Sequence, residues 1–327
     1  MDREFIYLNR ETVNKYLTPE DVISVIKRIW KNWEKDIFIE GEHTFLPAGV
    51  HTGNEFLHMP ACLPEDNILG FKWINCYADP ACGYPFSHDN IVVLNDMTTG
   101  SLKAIVNVTD ITAMRTAGGH GVAAARCLQK GPLKTLSVLG NGSQAVCGIR
   151  GFLCEFPEIE SVKVYCRRKE AFESMKKMFE KRVRLEYVED SREAGKDTDV
   201  ILAATSSREV LLKYEDLTPG VTVIALNGFI DIDPAISYKA DKWFVGNLRT
   251  DSKEIIDSKE MSHGQDLNDE DIYGELPRAA AGMIQGRESD REIIVYTHMG
   301  LGVYDVACAD LVYQKAAEKK DGISIQI

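Results

Sequence analysis

Residues 134–145, Lys-Thr-Leu-Ser-Val-Leu-Gly-Asn-Gly-Ser-Gln-Ala, lead a short apolar segment into Gly140, Asn141, Gly142, Ser143, Gln144 and Ala145. A tight turn requires Gly140, close backbone approach to a pyrophosphate requires Gly142, and a small third residue such as Ala145 lets the next helix press against a sheet. Free N–H groups at the start of that helix hold phosphate oxygens. The motif alone also fits ordinary turns, so its context decides. Leu136 to Leu139 is apolar and partly β-branched, Ala145 to Phe156 has a helical pattern ended by Pro157, and Ser161 to Cys166 follows as a second strand. This is the spacing of a βαβ unit, and the chemistry it offers is dinucleotide binding.

A doubly wound sheet puts its ligand at the carboxyl ends of its strands. Those ends fall at Gly140–Gln144, Cys166–Lys169, Thr205–Ser207, Asn227–Phe229 and His298–Gly302. The last sets two glycines, Gly300 and Gly302, beside His298 and Met299, and offers a place for a nicotinamide ring. After the second strand an NAD site usually presents an acid to the ribose 2′-hydroxyl, but this chain reads Tyr165-Cys166-Arg167-Arg168-Lys169. Three cations suit a 2′-phosphate, so NADP(H) is the preferred coenzyme on this reading and NAD(H) stays open. The alternative is a solvated basic start to a surface helix.

Two cations elsewhere need explaining. Lys72 interrupts the apolar run Leu69-Gly-Phe-Lys-Trp-Ile74, so it either reaches solvent from an edge strand or is paired. Arg115 sits among Ala, Met, Thr and Gly, and a buried arginine needs an anion: a substrate carboxylate, a phosphate, or a structural carboxylate. His43, His58, His88, His120 and His298 default to satisfied core histidines. No two histidines stand at i, i+4 beside a glutamate, which argues against a metal-dependent mechanism. Gly140-Asn-Gly-Ser-Gln lacks the second glycine of a serine hydrolase elbow.

The elements that position these residues are readable from periodicity. Residues 19–37 have the spacing of an amphipathic helix with an acidic first turn, and strands are expected over 55–59, 68–76, 90–95 and 104–108, so the first third is α+β. A helical pattern over 110–128 carries Gly118, Gly119 and Gly121, each costing roughly 1 kcal/mol against alanine, so a backbone or cofactor must come close there. Beyond it, strands at 161–166, 184–188, 199–204, 221–226, 242–246 and 292–297 alternate with helices at 169–181 and 190–196, which predicts a parallel doubly wound sheet. Ser252–Gln285 is polar and helix-like without a clear strand, and Tyr304–Glu318 is a closing helix.

At 327 residues the chain has room for about two domains, and its formal charge of −12 argues against a nucleic-acid partner. The stretch Met1 to Asn9 is charged and alternating and does not read as a leader, and no run of eighteen apolar residues occurs, so we expect a cytoplasmic protein with no membrane partner. Eight scattered cysteines without a Cys-x-x-Cys pair are expected to be reduced core thiols.

Gly70 to Ile74 with its lysine, Tyr84-Pro85, Val93 to Gly100, Ile111 to Ala117, Gly140 to Ala145 and Gly300-Leu-Gly-Val-Tyr-Asp-Val-Ala307 resemble, in this order, the ornithine cyclodeaminase and mu-crystallin family. The resemblance implies a Rossmann domain (116–300) inserted in an α+β substrate-binding and dimerisation domain (1–115 with 301–327), and a homodimer. It implies hydride transfer between a nicotinamide and the Cα–N bond of a small amino or imino acid. Lys72 and Arg115 match the family's carboxylate-binding lysine and arginine, and Thr116 a threonine near the cofactor phosphates. His43 stands where the family often has a further carboxylate-binding arginine. Asn227 stands where true cyclodeaminases have an aspartate base, with Asp231 four residues on. The main expectation is therefore an imine reductase or amino acid dehydrogenase. Ornithine cyclodeaminase, giving proline and ammonia, is the alternative within the enzymes, and an NADPH-dependent ligand-binding protein of mu-crystallin type is the alternative outside them.

Overall fold

Short apolar strands alternating with helices after Leu133 build an eight-stranded sheet in which every pairing is parallel. The structure, a computed structural model, describes residues 4–34, 38–48, 54–76 and 89–327. Tyr84, Pro85, Cys82 and His88 lie outside the described residues. The chain forms two compact units, Met1–Arg115 with Leu301–Ile327, and Thr116–Gly300.

In chain order, β1 (Glu4–Leu8), β2 (Ile39–Glu40), β3 (Thr44–Pro47), β4 (Glu55–Leu63), β5 (Ile68–Cys76), β6 (Ile91–Asp96) and β7 (Leu102–Asn107) belong to the first unit. The second holds β8 (Thr135–Leu139), β9 (Ser161–Tyr165), β10 (Arg184–Val188), β11 (Val200–Ala203), β12 (Thr222–Phe229), β13 (Lys242–Val245), β14 (Ile272–Glu275) and β15 (Ile294–Thr297), and β16 (Ile323–Gln326) returns to the first. The helices are α1 (Arg10–Tyr16), α2 (Pro19–Lys31), α3 (Thr109–Ala113), α4 (Val122–Leu128), α5 (Ser143–Glu155), α6 (Lys169–Phe179), α7 (Ile236–Lys239), α8 (Asp251–Asp257), α9 (Leu276–Ala280) and α10 (Gly302–Glu318).

The first unit is a mixed sheet in the order β16-β1-β7-β6-β5-β4-β2, with β3 also on β4. Strand β5 is central: Lys72 pairs with Met59 of β4 on one side and Val92 of β6 on the other. Lys72 is therefore no edge-strand lysine. Its strand alternates strictly, with Ile68, Gly70, Lys72 and Ile74 buried, and α10 covers that face. Helix α2 starts on a capping box between Thr18 and Asp21 with Pro19 in the first turn, and buries Val22, Ile26, Ile29 and Trp30. It ends at Lys31; of the rest of the expected stretch, residues 35–37 lie outside the described residues.

The second unit's sheet runs β10-β9-β8-β11-β12-β15-β13-β14. Leu139, Ala203, Ala225, Phe229, Trp243 and Val295 join in one core and are almost wholly buried, each large side chain contributing roughly 1.5–3 kcal/mol. Strand β14 lies inside the stretch expected to hold none; it is four residues long, pairs only with β13 at the sheet edge, and contains Gly274, so it carries little β pattern. The expected helix at 190–196 is a single 3₁₀ turn capped by Asp190. The helical pattern over 110–128 is interrupted by a π-helical segment, Met114–Gly121. A Cβ on Gly118 would stand 2.9 Å from the Cys147 carbonyl oxygen, and one on Gly151 would stand 2.2 Å from that of Gly118. The glycines thus admit the backbone of α5. Among the described residues no helix is long and apolar enough to cross a membrane.

Candidate functional site

In the first unit, alternation along β5 sends Lys72 inward, where Nζ lies 2.8 Å from Oδ1 of Asp305, one turn into α10. Arg115, from the start of the π-helical segment, donates from Nε to Oδ1 at 3.2 Å and places Nη2 3.1 Å from Oδ2. All three side chains are at least 96 % buried, so two cations share one carboxylate away from water. Burial, with repulsion from Arg115, brings the Lys72 ammonium down from 10.5 to about 8 although Asp305 opposes the shift. Among the described residues Arg115 Nη1 meets no hydrogen-bond acceptor although it is buried. A cluster with one positive charge in excess and an unused guanidinium donor is matched by an incoming carboxylate.

Close by on the same sheet, His43 Nε2 lies 3.0 Å from Glu40 Oε1. The Glu40 carboxylate also accepts from the backbone N–H groups of Gly302 at 2.6 Å and Val303 at 2.9 Å, capping the start of α10. Burial pushes the Glu40 carboxyl up, against the pull of His43 and the two N–H groups. Sequence reasoning missed Glu40 and Asp305. A signal for the second existed, an acid one turn after Gly300-Leu-Gly302 in an otherwise apolar helix. Nothing local marked the first, because its partners are far along the chain.

In the second unit, β8 lies between β9 and β11, and its carboxyl end opens into the glycine turn. Gly140 has φ +116°, and a Cβ there would stand 2.5 Å from the Ala204 carbonyl oxygen. Gly142, extended, is the N-cap of the thirteen-residue α5 and offers no side-chain cap; a Cβ on it would meet no atom within 4 Å. Open space before uncapped N–H groups fits a pyrophosphate. Ala145 is fully buried against the sheet, while the Gln144 side chain turns away to accept from the Ala117 N–H at 3.2 Å.

Asn141 and Arg168 line a cavity of about 490 Å³ with Glu170 and Met175 of α6. Arg167 is exposed and does not line it. Glu170 brings an acid to the place where the sequence reading counts only the cations Arg167, Arg168 and Lys169. Thr205 follows β11, and its N–H and hydroxyl donate to Asp231 Oδ2 at 3.1 and 2.8 Å. Asp231 is 1 % exposed, and burial pushes its carboxyl up to about 6 against the bonds from Thr205. Asn227 is half-buried in β12. Thr116 is buried in the π-helical segment, Met299 packs against the core, and Gly300 has φ +108°.

Beneath these strand ends lies an array that sequence reasoning saw only in part. His298 Nδ1 is 3.2 Å from Asp251 Oδ2, the His298 and His120 rings meet at 3.5 Å between centroids, and His120 Nε2 is 2.8 Å from the Tyr296 hydroxyl. All four residues are fully buried.

A model of the ornithine cyclodeaminase/mu-crystallin family matches residues 4–320. The chain belongs to this family. Among curated relatives, the N-((2S)-2-amino-2-carboxyethyl)-L-glutamate dehydrogenase of Staphylococcus aureus is 25% identical over the whole of both chains. The Delta(1)-pyrroline-2-carboxylate reductase of Bacillus thuringiensis is 30% identical over 83% of this chain and 80% of its own. Among solved structures, an archaeal alanine dehydrogenase dimer with bound NAD superposes with a TM-score of 0.88 at 26% identity, covering 99% of each chain. The Delta(1)-pyrroline-2-carboxylate reductase of Thermococcus litoralis, in complex with NADH and L-proline, gives 0.87 at 27% identity, covering 98% of this chain and all of that one. The relatives named are thus dehydrogenases and reductases of amino and imino acids, on a Rossmann-type α/β fold.

Proposed function

We propose that the protein is an NAD(P)H-dependent oxidoreductase acting on the Cα–N bond of a small amino or imino acid. The observation that carries this is the buried trio Lys72, Asp305 and Arg115, with one cation more than its carboxylate neutralises. Arg115 and Lys72 bind the substrate carboxylate, with His43, held by Glu40, as a further polar contact. When bound, the reduced coenzyme supplies a hydride to Cα. The C=N π electrons then move to nitrogen, which takes a proton, and Lys72 with its acidity near neutrality is suited to give one. Gly140, Asn141, Gly142 and Ser143 hold the pyrophosphate, Ala145 seats α5, and Gln144 braces the turn from behind. Thr116 serves the coenzyme phosphates, and Thr205, Asn227, Met299 and Gly300 its ribose and nicotinamide. Asp231 is a positioning residue that acts through Thr205. We assign NADP(H) as the preferred coenzyme through Arg168 with Arg167, NAD(H) being accepted with Glu170 at the ribose. The working unit is a homodimer.

The test is loss of dihydronicotinamide absorbance with NADPH and NADH against Δ1-pyrroline-2-carboxylate and against pyruvate with ammonia, then the reverse with L-proline, L-alanine and L-ornithine. Turnover with an imine or amino acid is the expected result. Tight NADPH binding with no turnover on any of them would overturn it in favour of a binding protein, and proline from ornithine with only catalytic coenzyme would favour a cyclodeaminase.

A further inference from the structure

The Asp251, His298, His120 and Tyr296 array has no part in the chemistry just described, yet four polar side chains are held in one chain of contacts wholly out of water. Burying such groups is costly unless they are mutually satisfied, and a fold that only needed volume would fill it with apolar side chains. The backbone is fitted to the array. A Cβ on Gly246, at the end of β13, would stand 2.2 Å from Asp251 Oδ2 and 3.0 Å from His298 Nδ1, so only glycine lets the two side chains meet there. His120 comes from the π-helical segment, an irregularity frequent at functional sites. Tyr296 and His298 are two residues apart at the carboxyl end of β15, and Met299 and Gly300 follow directly. The His298 N–H is itself tied to the Ala225 carbonyl of β12 at 3.1 Å.

We propose that His298 is a positioning residue for the reacting nicotinamide: gripped by Asp251 and backed by His120 and Tyr296, it fixes the Met299–Gly300 turn on which the ring is seated. The proposal rests on the reading that the second unit binds NAD(P)H. On that reading the adenosine half lies away from the array, at the cavity lined by Asn141 and Arg168. Loosening His298 should leave coenzyme affinity largely intact and misplace the hydride donor.

The variants are Asp251→Asn and Tyr296→Phe, which keep shape, together with His298→Gln and Gly246→Ala. Each is compared with wild type in NADPH affinity by fluorescence titration, in the emission of bound NADPH, and in kcat and the primary isotope effect with 4-deuterated NADPH on the substrate turned over by wild type. We expect affinity within about threefold of wild type, altered emission of the bound dihydronicotinamide, and kcat lower by about tenfold to a hundredfold with a larger isotope effect, the loss that a misplaced reacting group produces. Should Asp251→Asn and Tyr296→Phe bind NADPH with wild-type emission and turn over with wild-type kcat and isotope effect, the array is packing alone and the proposal falls. Wild-type protein that binds neither NADPH nor NADH would remove this proposal and the oxidoreductase reading together, whereas the former result leaves that reading standing.

Discussion

Replacing Lys72 with methionine should make the protein more stable and less active at once. The ammonium is fully buried, and its fall from 10.5 to about 8 means that folding penalises the charged form. At about 1.4 kcal/mol per pKa unit the penalty is about 3 kcal/mol at pH 7. The folded value lies below the unfolded one, so the unfolded chain binds more protons between the two, and wild-type stability rises with pH across that window. Lys72→Met removes the group and keeps its length, leaving Arg115 and Asp305 as a balanced pair. We predict that denaturant unfolding without ligand gives the variant about 3 kcal/mol more stability than wild type at pH 7, and that the gain fades between pH 8 and 10.5. Catalysis should move the other way. Losing one charge-assisted hydrogen bond to the substrate, about 1.5–3 kcal/mol, lowers kcat/KM by roughly tenfold to a hundredfold. A variant no more stable than wild type, with a gap that does not change with pH, would refute the claim that Lys72 is held charged in a site built for an anion.

Asp305→Asn should have the opposite effect on folding, costing about 3–5 kcal/mol in the same unfolding experiment, because two buried cations lose their counter-ion. Arg168→Ala should weaken NADPH by about tenfold or more in a fluorescence titration and leave NADH within a factor of about two, if Arg168 meets the 2′-phosphate. Gly140→Ala should abolish detectable binding of either coenzyme, since φ is +116° and the added carbon would stand 2.5 Å from a carbonyl oxygen; unchanged affinity would remove the turn from the binding site. Glu40→Gln should cost about 1 kcal/mol of stability by weakening the cap on α10, and should raise KM for the carboxylate substrate more than it lowers kcat.

Much of this was legible because it is local. The parallel sheet follows from apolar strands at regular intervals, and the glycine turn from its place between an apolar strand and a helix, since the glycine spacing alone also fits ordinary turns. Lys72 stood out for the same reason, as a charge at a position where alternation demands an apolar residue. What escaped depends on distance along the chain. Glu40 caps a helix that begins 262 residues later, and Asp305 neutralises cations 190 and 233 positions before it. Asp251 meets His298 only because a glycine elsewhere leaves room. Strand β14 escaped because an edge position with one neighbour asks little of its sequence. The π-helical segment was visible only as an unexplained cluster of glycines, of which Gly118 admits the backbone of α5, a use that needs coordinates.

Strand β1 pairs with β16, and helix α10 closes the first unit, so that unit is completed by residues that are made only after the whole second unit. During synthesis Lys72 and Arg115 must wait for Asp305 while the whole of the intervening unit is made. A nascent or truncated chain that stops before Leu301 has two cations with no carboxylate to share and a sheet face with no helix over it. Such a chain displays apolar surface and is a natural target for chaperones and proteases. Asp305 therefore ties the completion of the first unit to the synthesis of the second: its two cations, both made before residue 116, gain their carboxylate only after residue 300 has been added.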